Sequence, residues 1–173
     1  RRFPNQAIPI RHRLAMCELA VAGSRWLSVS RWEGTRKQPL EYPSVLRHVE
    51  RQLHMAFGHQ SPTVMFLCGA DELLRTGPET IKTNGVVCCA RPGFTEELER
   101  QVGRRYRLLV HLVLDDELLS TSMDSVSSTK VRRRLIANRT VTDLVGKHVA
   151  SYIHSTAIGE KIAGTTPWSK KDK

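Results

Sequence analysis

Three short apolar segments constrain the fold more than any other feature of this chain. They are TVMFLCGAD (63–71), GVVCCA (85–90) and RLLVHLVL (107–114). The apolar residues are nearly continuous rather than alternating, which is typical of strands that are buried on both faces of a parallel sheet. Helical patterns lie between and around them. This alternation predicts an α/β fold, a Rossmann-like doubly wound parallel sheet with helices on both faces.

The same reading of periodicity predicts the remaining elements. Apolar residues at helical spacing predict helices over 11–23, 43–53 and 95–105, and from about residues 128 and 140. The alternating segment RWLSVSRW (25–32) is rich in aromatic and β-branched residues and predicts a further strand. We expect a single domain over residues 1–163, followed by a basic tail over 164–173.

The charge balance indicates an anionic partner. The chain has 173 residues, with 27 Lys and Arg against 17 Asp and Glu, and a formal net charge of +10. Such an excess favours a nucleotide or a nucleic acid as ligand. The three Trp, three Tyr and four Phe are few and do not alternate with the basic runs. A stacking platform for single-stranded nucleic acid is therefore not favoured.

Cysteine usage and hydropathy indicate the compartment. The four cysteines, Cys17, Cys68, Cys88 and Cys89, show no CxxC spacing, and two of them are adjacent in an apolar run. We interpret them as reduced core thiols of an intracellular protein in the nucleus or cytoplasm. No apolar run reaches the roughly 18 residues of a membrane span, so no membrane partner is expected.

The segment SSTKVRRRL (127–135) places hydroxyl groups at a helix start and then adds four cations. One interpretation is a serine cap followed by a solvated basic face. The other is an anion site, because the first N–H groups of a helix are unpaired and its dipole is positive there. Ser127 and Thr129 would then face a phosphate, and Arg132 returns to the same side one turn later. We expect the positive charges of Lys130 and the three arginines to crowd that turn and to be unfavourable there unless an anion neutralises them.

A second candidate site follows the first buried strand. In CGAD (68–71), Gly69 allows close approach of the backbone, and the Asp71 carboxylate can accept both hydroxyl groups of a ribose. Ligands of open parallel sheets bind beyond the carboxyl ends of the strands. A turn followed by a helix cap is the alternative for these residues. A ribose site and a phosphate site on one sheet together indicate a nucleotide.

Six blocks of the sequence resemble one enzyme family. In the family's order they are HRLAMCELA, SRWLSVSRWE, VLRHVERQL, FLCGADELL, GVVCCARPG and SSTKVRRRL. Over residues 8–154 the chain resembles the eukaryotic nicotinamide/nicotinate mononucleotide adenylyltransferases of the nucleotidyltransferase superfamily. The resemblance implies the nucleotidyltransferase type of the parallel α/β fold.

The resemblance also assigns residues that bind ATP, namely Gly69, Asp71, Ser127, Ser128, Thr129, Lys130 and Arg132. Ser127, Thr129 and Arg132 match the SxTxxR motif that holds the phosphates, which makes them the predicted catalytic residues. Gly69 and Asp71 match the GAD sequence that packs against the ribose.

The chain departs from the family pattern in two regions. Family members open with a strand, a Gly-Phe loop and a histidine motif similar to HxGH, and we expect these elements upstream of Arg1. The tryptophan that stacks on nicotinamide in the family has no counterpart in RTGPETIKTNG (75–85). Pro39 replaces a second stacking aromatic, so Tyr42 is the predicted substitute. Asp124 stands where the family often has asparagine, and it is the other predicted substrate-binding residue.

The resemblance implies adenylyl transfer from ATP to nicotinamide or nicotinate mononucleotide, forming NAD or its deamido form and pyrophosphate. Mg²⁺ is expected to accompany ATP, and a homo-oligomer is a further expectation. Two alternatives stay open at this point. One is a related nucleotidyltransferase with another phosphate acceptor, and the other is a nucleic-acid-binding protein without enzymatic activity.

Overall fold

The computed structural model describes residues 8–38, 40–76, 85–89, 100, 110–113 and 126–164. The chain divides into two compact units, one of residues 38–124 and one of residues 1–37 together with 125–173. Each unit has its own cluster of buried apolar side chains. The predicted boundaries of a single domain and a tail are not tested by these features and stay a prediction.

The unit of residues 38–124 contains a parallel sheet. Its described elements are helix α2 Tyr42–Phe57, strand β1 Phe66–Gly69, helix α3 Ala70–Thr76, strand β2 Val86–Cys89 and strand β3 Val110–Val113. The strand order is β1-β2-β3, and both strand pairs are parallel. Cys68 lies opposite Cys88 in the register. All three predicted apolar strands are confirmed, and with them the parallel α/β class.

The core of this unit lies where α3 meets the sheet. Ala70 and Leu73 of α3 are buried against Val86 and Cys88 of β2. Because β1 and β2 are parallel, the chain must cross over between them, and α3 forms the start of that crossover. The sharp transition from β1 to α3 fixes the Gly69–Asp71 backbone at the carboxyl end of a strand.

The other described unit is helical. It contains α1 Ile10–Val21, α4 Ser128–Ile136, α5 Thr142–Val145, α6 Lys147–Ser155 and α7 Ile158–Ala163. Its buried core consists of Val141, Val149, Ile153, Ile158 and Ile162. Apolar residues of α1 and α4 pack on this core, so the end of α4 is held by α5, α6 and α7.

A buried histidine links α1 to α6. His12 is 3% exposed, and its Nδ1 atom lies 2.8 Å from the hydroxyl oxygen of Tyr152. Burial, assisted by the nearby charges of Arg11 and Lys161, lowers the pKa of His12. The neutral imidazole is therefore the form that the fold favours.

The predicted strand over residues 25–32 is wrong. These residues form turns and an irregular segment before a short 3-10 helix, Glu33–Thr35. Trp26 is 85% exposed, and the Ser24 hydroxyl accepts hydrogen bonds from the backbone N–H groups of Trp26 and Leu27. Side-chain acceptors thus satisfy N–H groups that a strand would offer to a neighbour. No strand in the described parts of the chain pairs with this segment.

Two further predictions need correction. The single helix expected from about residue 140 is two helices, because Gly146 adopts a φ of 77° between α5 and α6. Cys17 is exposed and therefore not a core thiol, whereas Cys88 is fully buried. The predicted helix over residues 95–105 and the tail over 164–173 lie mostly outside the described residues. None of the helices that the structure describes is long and apolar enough to cross a membrane.

Candidate active site

The first turn of α4 carries the predicted phosphate motif. Ser127 has an extended backbone and caps the helix, because its side-chain oxygen accepts a hydrogen bond from the backbone N–H of Lys130 at 3.1 Å. The structural interpretation of Ser127 is therefore confirmed. Capping uses the oxygen as an acceptor, so the hydroxyl can still donate its proton to an anion. Ser127 and Ser128 are exposed, and Thr129 and Lys130 are half-buried.

Arg132 follows in the next turn of α4, and no hydrogen bond within the described structure accounts for its side chain. Its Nε atom is buried, and it has no hydrogen-bond partner in the described structure. A buried donor without a partner costs about 1–3 kcal/mol. Such a cost is usual where a ligand or water supplies the missing acceptor. The spacing of Thr129 and Arg132 on α4 places both on the side of the helix that the motif predicts.

Arg134 has a different role from Arg132. Its Nη1 atom donates to both carboxylate oxygens of Asp143, at 2.6 and 2.8 Å, and to the backbone oxygen of Thr140 at 3.3 Å. The hydrogen bond from Arg134 lowers the pKa of Asp143, although partial burial opposes it. This pair fastens the end of α4 to α5.

The expected crowding of four cations at the helix start is therefore wrong. Helix α4 has only nine residues, so Arg133 and Arg134 belong to its last turn. Cations are favourable there, because the dipole is negative at the carboxyl end of a helix. Lys130 and Arg132 remain as the cations of the amino-terminal half.

Gly69 and Asp71 lie where the sequence placed them in the other unit. Gly69 is the last residue of β1, and Asp71 is the second residue of α3. Since α3 begins at Ala70, Asp71 lies within the first helical turn and is not its cap. A carboxylate is electrostatically favourable in that turn as well. The position supports a ribose site at the strand end and leaves the side chain's role as a prediction.

Cys68, near the carboxyl end of β1, is poorly suited to act as a nucleophile. Cys68 and Cys88 are register partners, and both are free thiols. Burial first, then the neighbouring Cys88, raises the pKa of Cys68 to about 12. A thiol with this pKa stays protonated at neutral pH, so it is neither a nucleophile nor a metal ligand. Cys88 is buried and Cys68 is half-buried against the same cluster, which fits the predicted core role.

The predicted substrate residues have different outcomes. Tyr42, the first residue of α2, stacks on Phe66 with ring centroids 4.3 Å apart and planes inclined by 12°. One face of its ring is thus covered by a core residue, a contact that periodicity does not reveal. Its role as a stacking partner for nicotinamide stays a prediction. Asp124 and Pro39 lie outside the described residues.

The described residues offer no resident metal site. No group of three or more His, Cys, Asp or Glu side chains among them could hold a metal ion. A magnesium ion that arrives with ATP needs no such group, because phosphate oxygens and water supply most of its ligands.

Comparison with known proteins places the motif in a family context. A family model described as cytidylyltransferase-like matches residues 2–134. The chain is 27% identical over 191 residues to nicotinamide/nicotinic acid mononucleotide adenylyltransferase 1 of Bos taurus, covering 82% of this chain and 66% of that protein.

Bacterial and plant proteins give similar values. A probable nicotinate-nucleotide adenylyltransferase of Yersinia pestis is 28% identical, with 87% of this chain and 73% of that protein covered. A nicotinamide/nicotinic acid mononucleotide adenylyltransferase of Oryza sativa is 29% identical, with 82% and 61% covered. The chain thus spans about two thirds of the length of these relatives. Their names match the family that the six sequence blocks resemble.

Proposed function

Because the chain belongs to the cytidylyltransferase-like family, we propose that it transfers an adenylyl group from ATP to nicotinamide or nicotinate mononucleotide. The products are NAD, or its deamido form, and pyrophosphate, which places the protein in NAD biosynthesis. The names of its bovine, bacterial and plant relatives support this assignment. The location we infer is the nucleus or cytoplasm.

The buried, unsatisfied Nε atom of Arg132 carries the proposal. An arginine whose donors are not used by the protein is suited to a phosphate, which accepts several charge-assisted hydrogen bonds from one guanidinium. Arg132 follows the hydroxyl groups of Ser127 and Thr129 on a helix start, where phosphate is favoured. We assign these three residues, with Ser128 and Lys130, to the ATP phosphates.

The reaction needs no nucleophile or general base from the protein. The 5′-phosphate oxygen of the mononucleotide attacks the α-phosphorus of ATP, one O–P bond forms, and the bond from the α-phosphorus to the bridging oxygen breaks. The bridging oxygen leaves with pyrophosphate. Catalysis then consists of alignment and of neutralising the charge that grows on the leaving group. Arg132 and Lys130 supply positive charge, and the Ser127 and Thr129 hydroxyls donate hydrogen bonds.

The remaining assignments follow the sequence. Gly69 lets the nucleotide approach the backbone, and Asp71 accepts the ribose hydroxyls. Tyr42 and Asp124 contact the acceptor mononucleotide. Magnesium is part of the substrate as its ATP complex.

A direct assay tests the activity. The full-length protein is incubated with magnesium ATP and nicotinamide mononucleotide, and the NAD formed is reduced by alcohol dehydrogenase and followed at 340 nm. Parallel reactions with nicotinate mononucleotide and with other phosphate-bearing acceptors are followed by pyrophosphate release. We expect turnover with one or both pyridine mononucleotides. Pyrophosphate release only with a different acceptor would replace the substrate assignment, and no release with any acceptor would contradict the proposed function.

A further inference from the structure

A cavity at the far end of α4 is not used by the proposed reaction. It is an open cavity with a volume of about 700 Å³, lined by the end of α4 together with α5, α6 and α7, all within one compact unit. This volume is in the range of small-molecule sites, roughly 300–1,000 Å³. At about 1.5 Å per helical residue, Leu135 on the cavity wall lies roughly 10 Å along the helix axis from Ser128 and roughly 5 Å from Arg132.

The cavity wall is divided between apolar and polar side chains. Leu135 and Ile153 belong to the packed core and form part of an apolar surface, with Ala157 beside them. Arg139, Lys147 and His154 lie on the same wall and are exposed. A ligand with an apolar body and a charged group would satisfy both parts of this surface.

The charges favour an anionic ligand. Within the described structure, Arg139 and Lys147 form no side-chain ion pair or hydrogen bond. Glu160 is the carboxylate that lines the cavity, whereas Asp143 is bound by Arg134. Two cations, Arg139 and Lys147, therefore face one carboxylate on the cavity wall.

The backbone around the cavity is held in an uncommon conformation. Asn138 and Ala157 both have a φ of 52°, and they are the non-glycine residues with positive φ in the described parts of the chain. Both line the cavity. Both directly follow helix C-caps, Ala137 of α4 and Thr156 of α6, where a left-handed residue commonly ends a helix, so the two helix ends fix the backbone of the cavity wall.

We propose that this cavity binds a small organic anion, an apolar body of one or two rings bearing a single acidic group. The acidic group pairs with Arg139 and Lys147, and the rings contact Leu135, Ile153 and Ala157. None of the residues that line the cavity belongs to the 127–132 motif, so we expect the cavity to take its ligand whether or not ATP is bound. This inference does not depend on the proposed reaction.

Two matched dyes test the inference. Anilinonaphthalene sulfonate is an aromatic anion, and N-phenylnaphthylamine has the same ring system without the sulfonate. Both become fluorescent in apolar sites, and both are titrated into the full-length protein with magnesium ATP at saturation. The double variant Arg139→Ala/Lys147→Ala removes the cations, and Ala163→Trp, at an exposed residue of the wall, fills the cavity. Arg13→Ala is the control, an exposed arginine of the same unit that does not line the cavity.

We expect the double variant to weaken sulfonate binding about fivefold and to leave the uncharged dye unchanged, since each exposed ion pair contributes about 0.5 kcal/mol. Ala163→Trp should weaken both dyes, and the Arg13 control should change neither. Circular dichroism melts of all variants verify that they are folded. Equal affinity of the sulfonate for the double variant and the wild type would overturn the proposal, as would displacement of the dye by ATP.

Discussion

The two halves of helix α4 carry the same kind of residue and use it differently. Arg134, in the last turn, donates two hydrogen bonds to Asp143 and one to a backbone carbonyl. Arg132, two residues earlier, has a buried Nε atom that no described residue accepts from. The hydrogen-bond acceptors of Arg134 lie within the protein, so its role is to stabilise the fold. The desolvated, unsatisfied donor of Arg132 indicates a ligand instead. This difference distinguishes the two arginines, although their shared sequence context, RRR, does not.

The largest effect is expected from replacing Arg132. Arg132→Met should lower kcat/KM about 100-fold, because the leaving pyrophosphate loses its guanidinium partner. The melting temperature without ATP should be equal to or higher than that of the wild type, since an unsatisfied buried donor is removed. Steady-state kinetics and thermal melts measure the two quantities. Loss of stability together with normal activity would reverse the roles assigned to the two halves of α4.

The next effect separates the cap from the phosphate site at Ser127. Ser127→Asp should keep the melting temperature, because aspartate caps helices as well as serine does. It should weaken ATP binding about tenfold, because the carboxylate repels phosphate. Ser127→Ala is the matched comparison, and it should lose about 1 kcal/mol of unfolding free energy through the lost cap. If calorimetry shows wild-type ATP affinity for Ser127→Asp, then Ser127 is only a cap.

Arg134 should show the opposite pattern on a smaller scale. Arg134→Ala should lower the melting temperature by about 2 °C, as expected for a partly exposed ion pair, and leave kcat/KM within about twofold. Arg133→Ala, an exposed neighbour on the same helix, is the control and should change neither quantity. A large loss of activity in Arg134→Ala would mean that the last turn also serves the reaction.

The smallest effect concerns pH and arises outside α4. The pKa of His12 is lowered in the fold, so its contribution is complete above the ordinary value of 6.5 and is lost as the pH falls below it toward the lowered pKa. Melting temperatures should therefore fall from pH 7 to pH 5 in the wild type and less in His12→Gln. Equal slopes in the wild type and in His12→Gln would contradict this source of pH dependence.

The sheet could be predicted from the sequence because its strands are continuous apolar runs. Val86 and Cys88 are buried as such a run requires. Segment 25–32 has equally favourable residues for a strand, but strand formation depends on a neighbour, and here Ser24 satisfies the local N–H groups. Residue composition indicates the propensity to form a strand, but it does not indicate whether a neighbouring strand is available for pairing.

The places of the candidate residues in the fold could be predicted, whereas their packing could not and their binding roles stay predictions. The hydroxyl residues and Arg132 were found from their spacing, and Gly69 from the end of an apolar run. The length of α4 was not predicted, and that length assigns Arg133 and Arg134 to its last turn. Burial of the Arg132 Nε atom and the stacking of Tyr42 on Phe66 result from tertiary packing, which no local pattern encodes.

The most direct test of the central claim observes the Nε–H group of Arg132 itself. Arginine Nε–H signals of ¹⁵N-labelled full-length protein are recorded by NMR during a titration with magnesium ATP, and Arg132→Lys and Arg134→Lys identify the two resonances. The account predicts that the Arg132 signal shifts and becomes protected from solvent exchange at saturating ATP. The Arg134 signal should stay in place, since Asp143 already holds that guanidinium group through Nη1. An Arg132 signal that neither shifts nor becomes protected at ATP concentrations that saturate binding would contradict this account.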